Sequence, residues 1–457
     1  MGRMGQTVAA FAMFFFAAYP TLSATSPIHS SLPAPSTLPA TRPALPASPA
    51  PPAPPAQVPF EQATRDLTSA DPGARLRAAQ MLKDSPYPEA AVPLAPLITD
   101  REDDVQLEAI AAELNIFLAE KVVVRKRVGF VVEVRNQIVA EKAFAAGPLA
   151  IGPRPVPVDV LAALRTASAD DNPRVALEAL YAFGTLAVQP GGAARRELLH
   201  AAAPSLVALT GVSDAARRYA AVRVLGRVYA KRMQDEPVDQ TVGDAIITLL
   251  NDRDRALKVA AMEALGAMRY ERSVQALIDL FQYYGRGDEA AAALDALARI
   301  GHASASTVFS AQLQSRNAAL RAIAIEGLAR IGDRTKLTEI ESAIGSDRTE
   351  AVELAGTFAS AMLANAPIES ITEGLAKTRL RDQAKQYLVE LAAGRPALLT
   401  RQAQDPDARI RIDVADVLGL AGDPAALPLA ESLLQDKDPQ VARAAERAVA
   451  RLKQVTS

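Results

Sequence analysis

The sequence predicts an all-α protein, an α-solenoid of about ten to eleven helix pairs that follows an apolar leader and a proline-rich spacer. Three observations carry that expectation. Equivalent positions of successive amphipathic segments recur about every 31 residues, at Leu257, Glu289, Leu320, Ala351, Leu380, Ile410 and Val441, with Ala74 and Gln106 as an earlier pair. Inside each period the apolar residues fall on one helical face, separated by Gly, Asp-Pro and Asn-Pro steps. Composition agrees, with 49% hydrophobic residues, 5% aromatic residues and no Trp. Much of the apolar content is alanine, which costs least in helix propensity and lets helices pack closely. A fixed period of this size belongs to arrays in which each unit buries its apolar face only against its neighbours.

The chain opens with a short positive region at Arg3 and an apolar run from Val8 to Tyr19. Leu22-Ser23-Ala24 then gives an imperfect small-residue cleavage site, so residues 1–24 read as an export signal. The run is short of the roughly 20 residues that span a bilayer, and no other segment is long and apolar enough to cross one. The expected location is periplasmic or extracellular, with a membrane tether as the alternative if the signal is not cleaved. The chain has no cysteine, which excludes disulfides, thiolate metal sites and cysteine nucleophiles.

Residues 25–59 form a Pro/Ala/Ser tract whose proline density no helix survives. It reads as an extended, semi-rigid linker. A PxxP ligand role is the weaker reading, because an exported protein does not meet the usual reader domains.

From residue 60 to residue 457 the pattern is helical. In the unit at 317–344, Leu320, Ile323, Ala324, Leu328 and Ile331 share a face, and Gly332 supplies a left-handed cap. In the unit at 405–435, Asp405 is expected as N-cap with Pro406 at the first helical position, followed by Ile410, Val414, Val417 and Leu418. The same opening recurs at Asp71-Pro72, Asn172-Pro173 and Asp438-Pro439. Two stretches break the period. Residues of about 119–156 are read as an irregular extra helical unit, although Val122, Val124, Val128, Phe130, Val132 and Val134 alternate in a way that also fits a short β-ribbon. A longer hairpin loop is expected at 232–237.

These units resemble HEAT repeats, in the short form found in bacterial HEAT-like proteins and phycobilisome-lyase relatives. The family pattern D-P-x-x-V-R-x-x-A-x-x-x-L-x-x-[IL]-G-D is matched by Asp405-Pro406, Ile410-Arg411, Leu418 and Gly422-Asp423. Leu320-Arg321, Leu328 and Gly332-Asp333 match its second half. The resemblance covers most of residues 66–455. It implies a ladder in which Arg75, Arg321 and Arg411 pair with aspartates of the inter-helix turns. Glu289, Ala351 and Leu380 open units without that arginine. Chromophore handling is implied only at the level of fold.

No catalytic constellation or cofactor site emerges. His29, His200 and His302 are isolated, and no His-Glu dipeptide exists, which removes the iron motif of the HEAT-repeat deoxyhypusine hydroxylases. Gly285-Arg286-Gly287-Asp288-Glu289-Ala290 matches a dinucleotide string but joins two helices, where no strand precedes it. With 50 basic against 52 acidic residues, the net charge of -2 offers nothing to nucleic acid.

Local charge is more informative. Arg195, Arg196, Arg217, Arg218, Arg223, Arg227, Lys231 and Arg232 stand against only Glu197 and Asp214. Arg223, Arg227 and Lys231 line one helix face. Two readings stand: a solvated face, or a docking strip for an anionic glycan, lipid headgroup or acidic protein. Arg125, Lys126 and Arg127 form a smaller cluster, read as a polar turn or a second contact. Tyr283 and Tyr284 end a second helix, and second helices usually line the concave face of a solenoid. They are candidate partner anchors, with packing as the alternative. The sequence therefore predicts a non-catalytic protein-interaction scaffold of the cell envelope, shaped as a rod or arc on the order of 100 Å long. The alternatives are an anionic-ligand module and an accessory subunit of an enzyme of the HEAT-like lyase type.

Overall fold

The computed structural model describes residues 60–119, 138–152, 154–188, 193–231, 238–345, 347 and 349–456, and its regular structure there is helical. After α1 (Phe60–Asp66), the array begins with α2 (Pro72–Asp84) and α3 (Ala91–Leu94), the latter extended by 3₁₀ turns. Next come α4 (Asp103–Phe117), an insertion containing α5 (Val139–Ala145), and α6 (Val158–Ala167). Regular pairs follow: α7 (Pro173–Leu186) with α8 (Ala193–Ala208), α9 (Ala215–Val228) with α10 (Gln240–Thr248), and α11 (Arg255–Ala267) with α12 (Val274–Tyr284). Then α13 (Asp288–Ile300) pairs with α14 (Ser306–Gln312), α15 (Ala318–Ile331) with α16 (Leu337–Gly345), and α17 (Glu350–Ala364) with α18 (Glu369–Gly374). Finally α19 (Arg381–Ala392) pairs with two 3₁₀ turns, α20 (Ala408–Ala421) pairs with α21 (Leu427–Ser432), and α22 (Pro439–Thr456) closes the array. Ten hairpins and a closing helix among the described residues match the expected number of units.

Local chemistry sets the boundaries. Asp71 accepts from the Gly73 and Ala74 amides, both at 3.0 Å, with Pro72 at the first helical position, where no amide is needed. Asn172 and Asp438 act alike on Arg174 and Gln440. The expected cap at Asp405 is two residues early. Asp407 caps α20 through the Arg409 amide at 2.9 Å, and Asp405 instead accepts from the Asp407 amide at 2.8 Å. Gly332 and Gly422 end α15 and α20 at φ +81° and +66°, as the sequence predicts.

Of the stretch at about 119–156, residues 119, 138–152 and 154–156 are described, and they lie beside an array that runs on from α4 to α7. α4 packs directly on α7, and α6 is the second helix that precedes α7. Gln106 on α4 donates to Asp170 at 3.1 Å and Asn172 donates to Asp103 at 2.6 Å, so the array continues past the insertion unbroken. The insertion leaves at Leu118, which bridges to Ile151, and its helix α5 packs on α7. The alternating valines, Arg125, Lys126 and Arg127 lie outside the described residues, as do residues 1–59 with the leader and the proline tract, and the 232–237 loop with Arg232.

Curvature comes from the first helices. A side chain on Gly226 would stand 2.8 Å from the Ala264 Cα, one on Gly266 2.8 Å from the Ala296 Cα, and one on Gly419 2.9 Å from the Ala448 Cα. These glycines let successive first helices approach almost backbone to backbone, so the array bends with its first helices inside. The bend is tight. Arg330 on α15 reaches past α17 to Glu390 on α19, Arg269 after α11 comes within 3.9 Å of the same carboxylate, and Arg451 on α22 bonds the carbonyl of Pro148, 303 residues away. The expected rod with second helices on its concave face is therefore corrected to a closed coil with first helices within. Gly266→Val is expected to cost about 1–3 kcal/mol by overpacking, since the atom it meets is backbone and cannot rotate away. A denaturant melt measures it, and an unchanged midpoint contradicts the close approach.

Candidate functional site

The basic strip lies at the wall between α9 and the inserted helix α5. Arg223 is only 17% exposed; it donates to Glu141 at 3.2 Å and to the Tyr181 hydroxyl at 3.4 Å. Its guanidinium also lies within 6 Å of the Phe144, Tyr181 and Tyr219 rings. Arg227 stacks 3.6 Å over Phe144 and bonds the Phe144 carbonyl. Glu178 on α7 accepts from the Val139 and Ala140 amides, each at 2.8 Å, and so caps the start of α5. Burial pushes the Tyr181 hydroxyl up to about 12, with Arg223 partly opposing it. Burial also raises the Glu178 carboxyl, against its two amide bonds.

Arg223 and Arg227 are thus turned toward the chain's own α5 and not toward solvent. These two hold an acidic and aromatic segment of the same chain, Glu141 and Phe144 of α5. The remaining members scatter. Arg218 faces Asp252 at 3.4 Å, Arg217 is half-buried, Arg196 is exposed, Arg195 bonds the Ala187 carbonyl, and the Lys231 amide bonds Ala267. Helical spacing put Arg223 and Arg227 on one face, but it held no sign that α5, some 80 residues upstream, covers that face.

Deeper in the coil the first helices meet through a charged cluster. Arg330 clasps Glu390 through two bonds of 2.9 Å and holds Glu326 at 3.0 Å. Tyr387 donates to Glu326 at 2.6 Å and stacks on Phe358, with ring centres 4.2 Å apart. Arg299 pairs with Asp295 at 2.8 Å nearby. Farther along, Lys385 sits between Asp413 and Asp416, each at 3.0 Å. Burial pushes Glu390 up, yet Arg330 more than offsets it and leaves the carboxyl below its usual value. Glu326 stays raised by burial despite Arg330 and Tyr387. The sequence gives one clue to this cluster: Glu326, Asp413 and Asp416 each stand between small or apolar neighbours in their helices.

These carboxyls give stability a pH profile with two limbs. Glu113, Glu263 and Glu326 have raised values, so between the ordinary carboxylate pKa and the raised one the native state holds more protons than the unfolded chain. Stability therefore rises as pH falls from 7 toward 5. Glu390, Asp100 and Asp436 have lowered values, and their contribution is lost as pH falls through them, below about 4. Thermal melts from pH 3 to pH 8 are expected to peak near pH 5. Glu113→Gln, which removes a buried carboxyl with no partner, should flatten the limb above that peak.

The arginine ladder exists, with different aspartates. Arg75 clasps Asp100 at 2.7 and 2.8 Å and donates to the Ser69 carbonyl at 2.9 Å. Arg411 repeats this with Asp436 at 2.7 and 2.8 Å and the Asp405 carbonyl at 2.7 Å. Arg321 does so with Asp347 at 2.6 Å and the Ser315 carbonyl at 2.6 Å. Each arginine ties the turn before its own unit to the turn after it. Asp333 and Asp423 cannot serve, because they lie at the far end of a first helix of about 20 Å. They cap 3₁₀ turns instead, and Asp423 also accepts from Gly394 of the preceding unit at 2.8 Å.

Tyr283 and Tyr284 sit on the outward side. Tyr283 is 81% exposed and meets Tyr284 edge-on at 5.1 Å, while Lys258 donates to the Tyr284 hydroxyl at 2.6 Å. Phe281, beside them, is core. Gly285 and Gly287 turn the chain into α13 at φ +64° and +91°, a helix hairpin and not a nucleotide loop. His200 is exposed, and the His302 ring accepts from the Ser304 amide at 3.2 Å. Among the described residues no cluster of His, Asp or Glu could hold a metal ion, and no helix is long and apolar enough to cross a membrane.

Comparison with known proteins agrees with this geometry. Residues 395–457 match HEAT repeats, and residues 257–283 match the PBS lyase HEAT-like repeat. No curated protein matches the chain. Among solved structures, an engineered protein is 19% identical at a TM-score of 0.39, covering 86% of this chain and 98% of its own. The CpcE and CpcF complex of phycocyanin lyase from Nostoc sp. PCC7120 is 19% identical at a TM-score of 0.39, covering 55% of this chain and 94% of the other. The structure of Kap95p with RanGDP is 16% identical at a TM-score of 0.33, covering 84% of this chain and 49% of the other. At these levels the likenesses carry nothing about activity. The repeat matches at both places, the helical hairpins and the arginine ladder make this chain a HEAT-repeat protein.

Proposed function

We propose that the chain is a non-catalytic interaction scaffold of the cell envelope, exported through its leader and holding a protein partner on the outward side of its second helices. The observation that supports this reading is the use of the inner face. Arg223 and Arg227 grip α5, Arg330 clasps Glu390, and Lys385 is enclosed by Asp413 and Asp416, so the first helices spend their polar groups on one another. The outward side keeps Tyr283 free of the core, next to Tyr284 and Lys258. A rigid exposed tyrosine is a strong interface anchor.

The test is capture of envelope proteins on immobilised residues 25–457, beside the same bait with Tyr283→Ala. A partner whose affinity falls about 30-fold with the variant supports the reading, that being the scale of an interface hot spot of ~2 kcal/mol. A partner indifferent to Tyr283→Ala, but lost with Arg196→Glu and Arg217→Glu and with rising salt, would move the contact to the exposed Arg196 and the half-buried Arg217. Fractionation of expressing cells tests the location, and protein found only in the cytosol would overturn it.

A further inference from the structure

The cation of each ladder rung is the residue whose amide closes the first turn of its helix on the carbonyl of the N-cap. Among the described residues that position is basic at Arg75, Arg218, Lys258, Arg321 and Arg411. An aspartate answers each arginine: Asp100 faces Arg75, Asp252 faces Arg218, Asp347 faces Arg321 and Asp436 faces Arg411. Lys258 meets a phenol instead. It donates to the Tyr284 hydroxyl at 2.6 Å, 26 residues onward, where Arg75, Arg321 and Arg411 find their carboxylates 25 or 26 residues onward. Tyr284 thus stands in the place of the ladder aspartate.

A neutral hydroxyl leaves this rung with an uncompensated positive charge. An ammonium has three donors, and the hydroxyl takes one of them. The acids that open α13 are already engaged, since Arg255 holds Asp288 at 2.8 Å and Glu289 at 2.9 Å. Arg286, two residues past Tyr284, is exposed, and neither it nor Lys258 has an ion pair among the described residues. Tyr283 stands 81% exposed beside them. A Cβ placed on Gly285 or Gly287 would meet nothing within 4 Å, so the turn is open to approach from outside.

We propose, resting on the scaffold reading, that the partner completes this rung. A carboxylate from an acidic segment of the bound protein pairs with Lys258, Arg286 serves as the second cation, and Tyr283 packs against the same segment. The complete rungs show what the position accepts, a single side-chain carboxylate, which favours an acidic peptide over a polyanionic glycan.

The probe is a fluorescent octapeptide of alternating Gly and Glu, with a Gly-Gln octapeptide as control, and polarization reads its binding to the purified protein. The Glu peptide is expected to bind about 10-fold tighter than the Gln peptide. Lys258→Gln and Tyr284→Asp should each reduce it to the level of the control, the first by removing the cation and the second by completing the rung from within. Tyr284→Asn, of the same size as Tyr284→Asp but uncharged, should keep the binding. Equal affinity for the two peptides, or equal binding by the Tyr284→Asp and Tyr284→Asn proteins, would overturn the proposal. So would a polyuronate that binds through Lys258 while the Glu peptide does not. An envelope partner lost with Tyr283→Ala but kept by Lys258→Gln and Tyr284→Asp would overturn this pairing and leave the scaffold reading standing. A partner indifferent to Tyr283→Ala, with the Glu peptide still sensitive to Lys258→Gln and Tyr284→Asp, would do the reverse.

Discussion

Arg330→Ala is expected to destabilise the array by about 3–5 kcal/mol, because Glu390 and Glu326 would stay buried and charged without their cation. Arg330 is 8% exposed, its contact with Glu390 spans 60 residues of chain, and Tyr387 shares Glu326. The loss should spread over α15, α17 and α19 together. Adding Glu390→Gln and Glu326→Gln to Arg330→Ala should recover much of the stability, since the penalty arises from the orphaned carboxylates and not from the lost attraction. Urea melts of the three proteins measure this. A single variant within 1 kcal/mol of the parent would show that the cluster is hydrated and the coil open.

Leu328→Asp is expected to cost several kcal/mol, of the order of 4. The side chain is fully buried, so the change removes apolar volume and places an unpaired charge in the core. In a repeat array stability passes between neighbours, so the flanking hairpins α13–α14 and α17–α18 should lose hydrogen-exchange protection before α2 and α4 do. Protection lost evenly from end to end would instead mean that the coil unfolds as one body. That outcome is informative, because the contacts of Arg269 with Glu390 and of Arg451 with Pro148 join units far apart in the chain.

How much of this was legible in the sequence depends on range. Helix faces, glycine caps and Asp-Pro starts act within a few residues, and Leu320, Leu328, Gly332, Asp71 and Asn172 take the places the pattern assigns them. The arginine position of the ladder was legible for Arg75, Arg321 and Arg411, while its acceptors were misplaced. The sequence offers aspartates at both ends of these first helices, and only the direction of the helix decides which of them the arginine can reach. Curvature was not legible. It follows from Gly226, Gly266 and Gly419 meeting alanines about 30 to 38 residues onward, a spacing that means nothing until the helices are stacked. The fate of Arg223 and Arg227 was hidden for the same reason, since Glu141 and Phe144 lie about 80 residues upstream in an insertion that broke the period.

The central claim is that the array closes on itself, with its first helices and its inserted helix filling the inside. Spin labels at Ala145→Cys on α5 and Lys453→Cys on α22, the only cysteines in the chain, test it directly through their separation. Both positions are exposed, and eight first helices lie between the two elements. A closed coil places the labels within about 25 Å, two to three helix diameters. An open rod places them roughly 80 Å apart at ~10 Å per unit. A narrow distribution at the short distance is the predicted result, and a distribution centred near the long one would contradict the account.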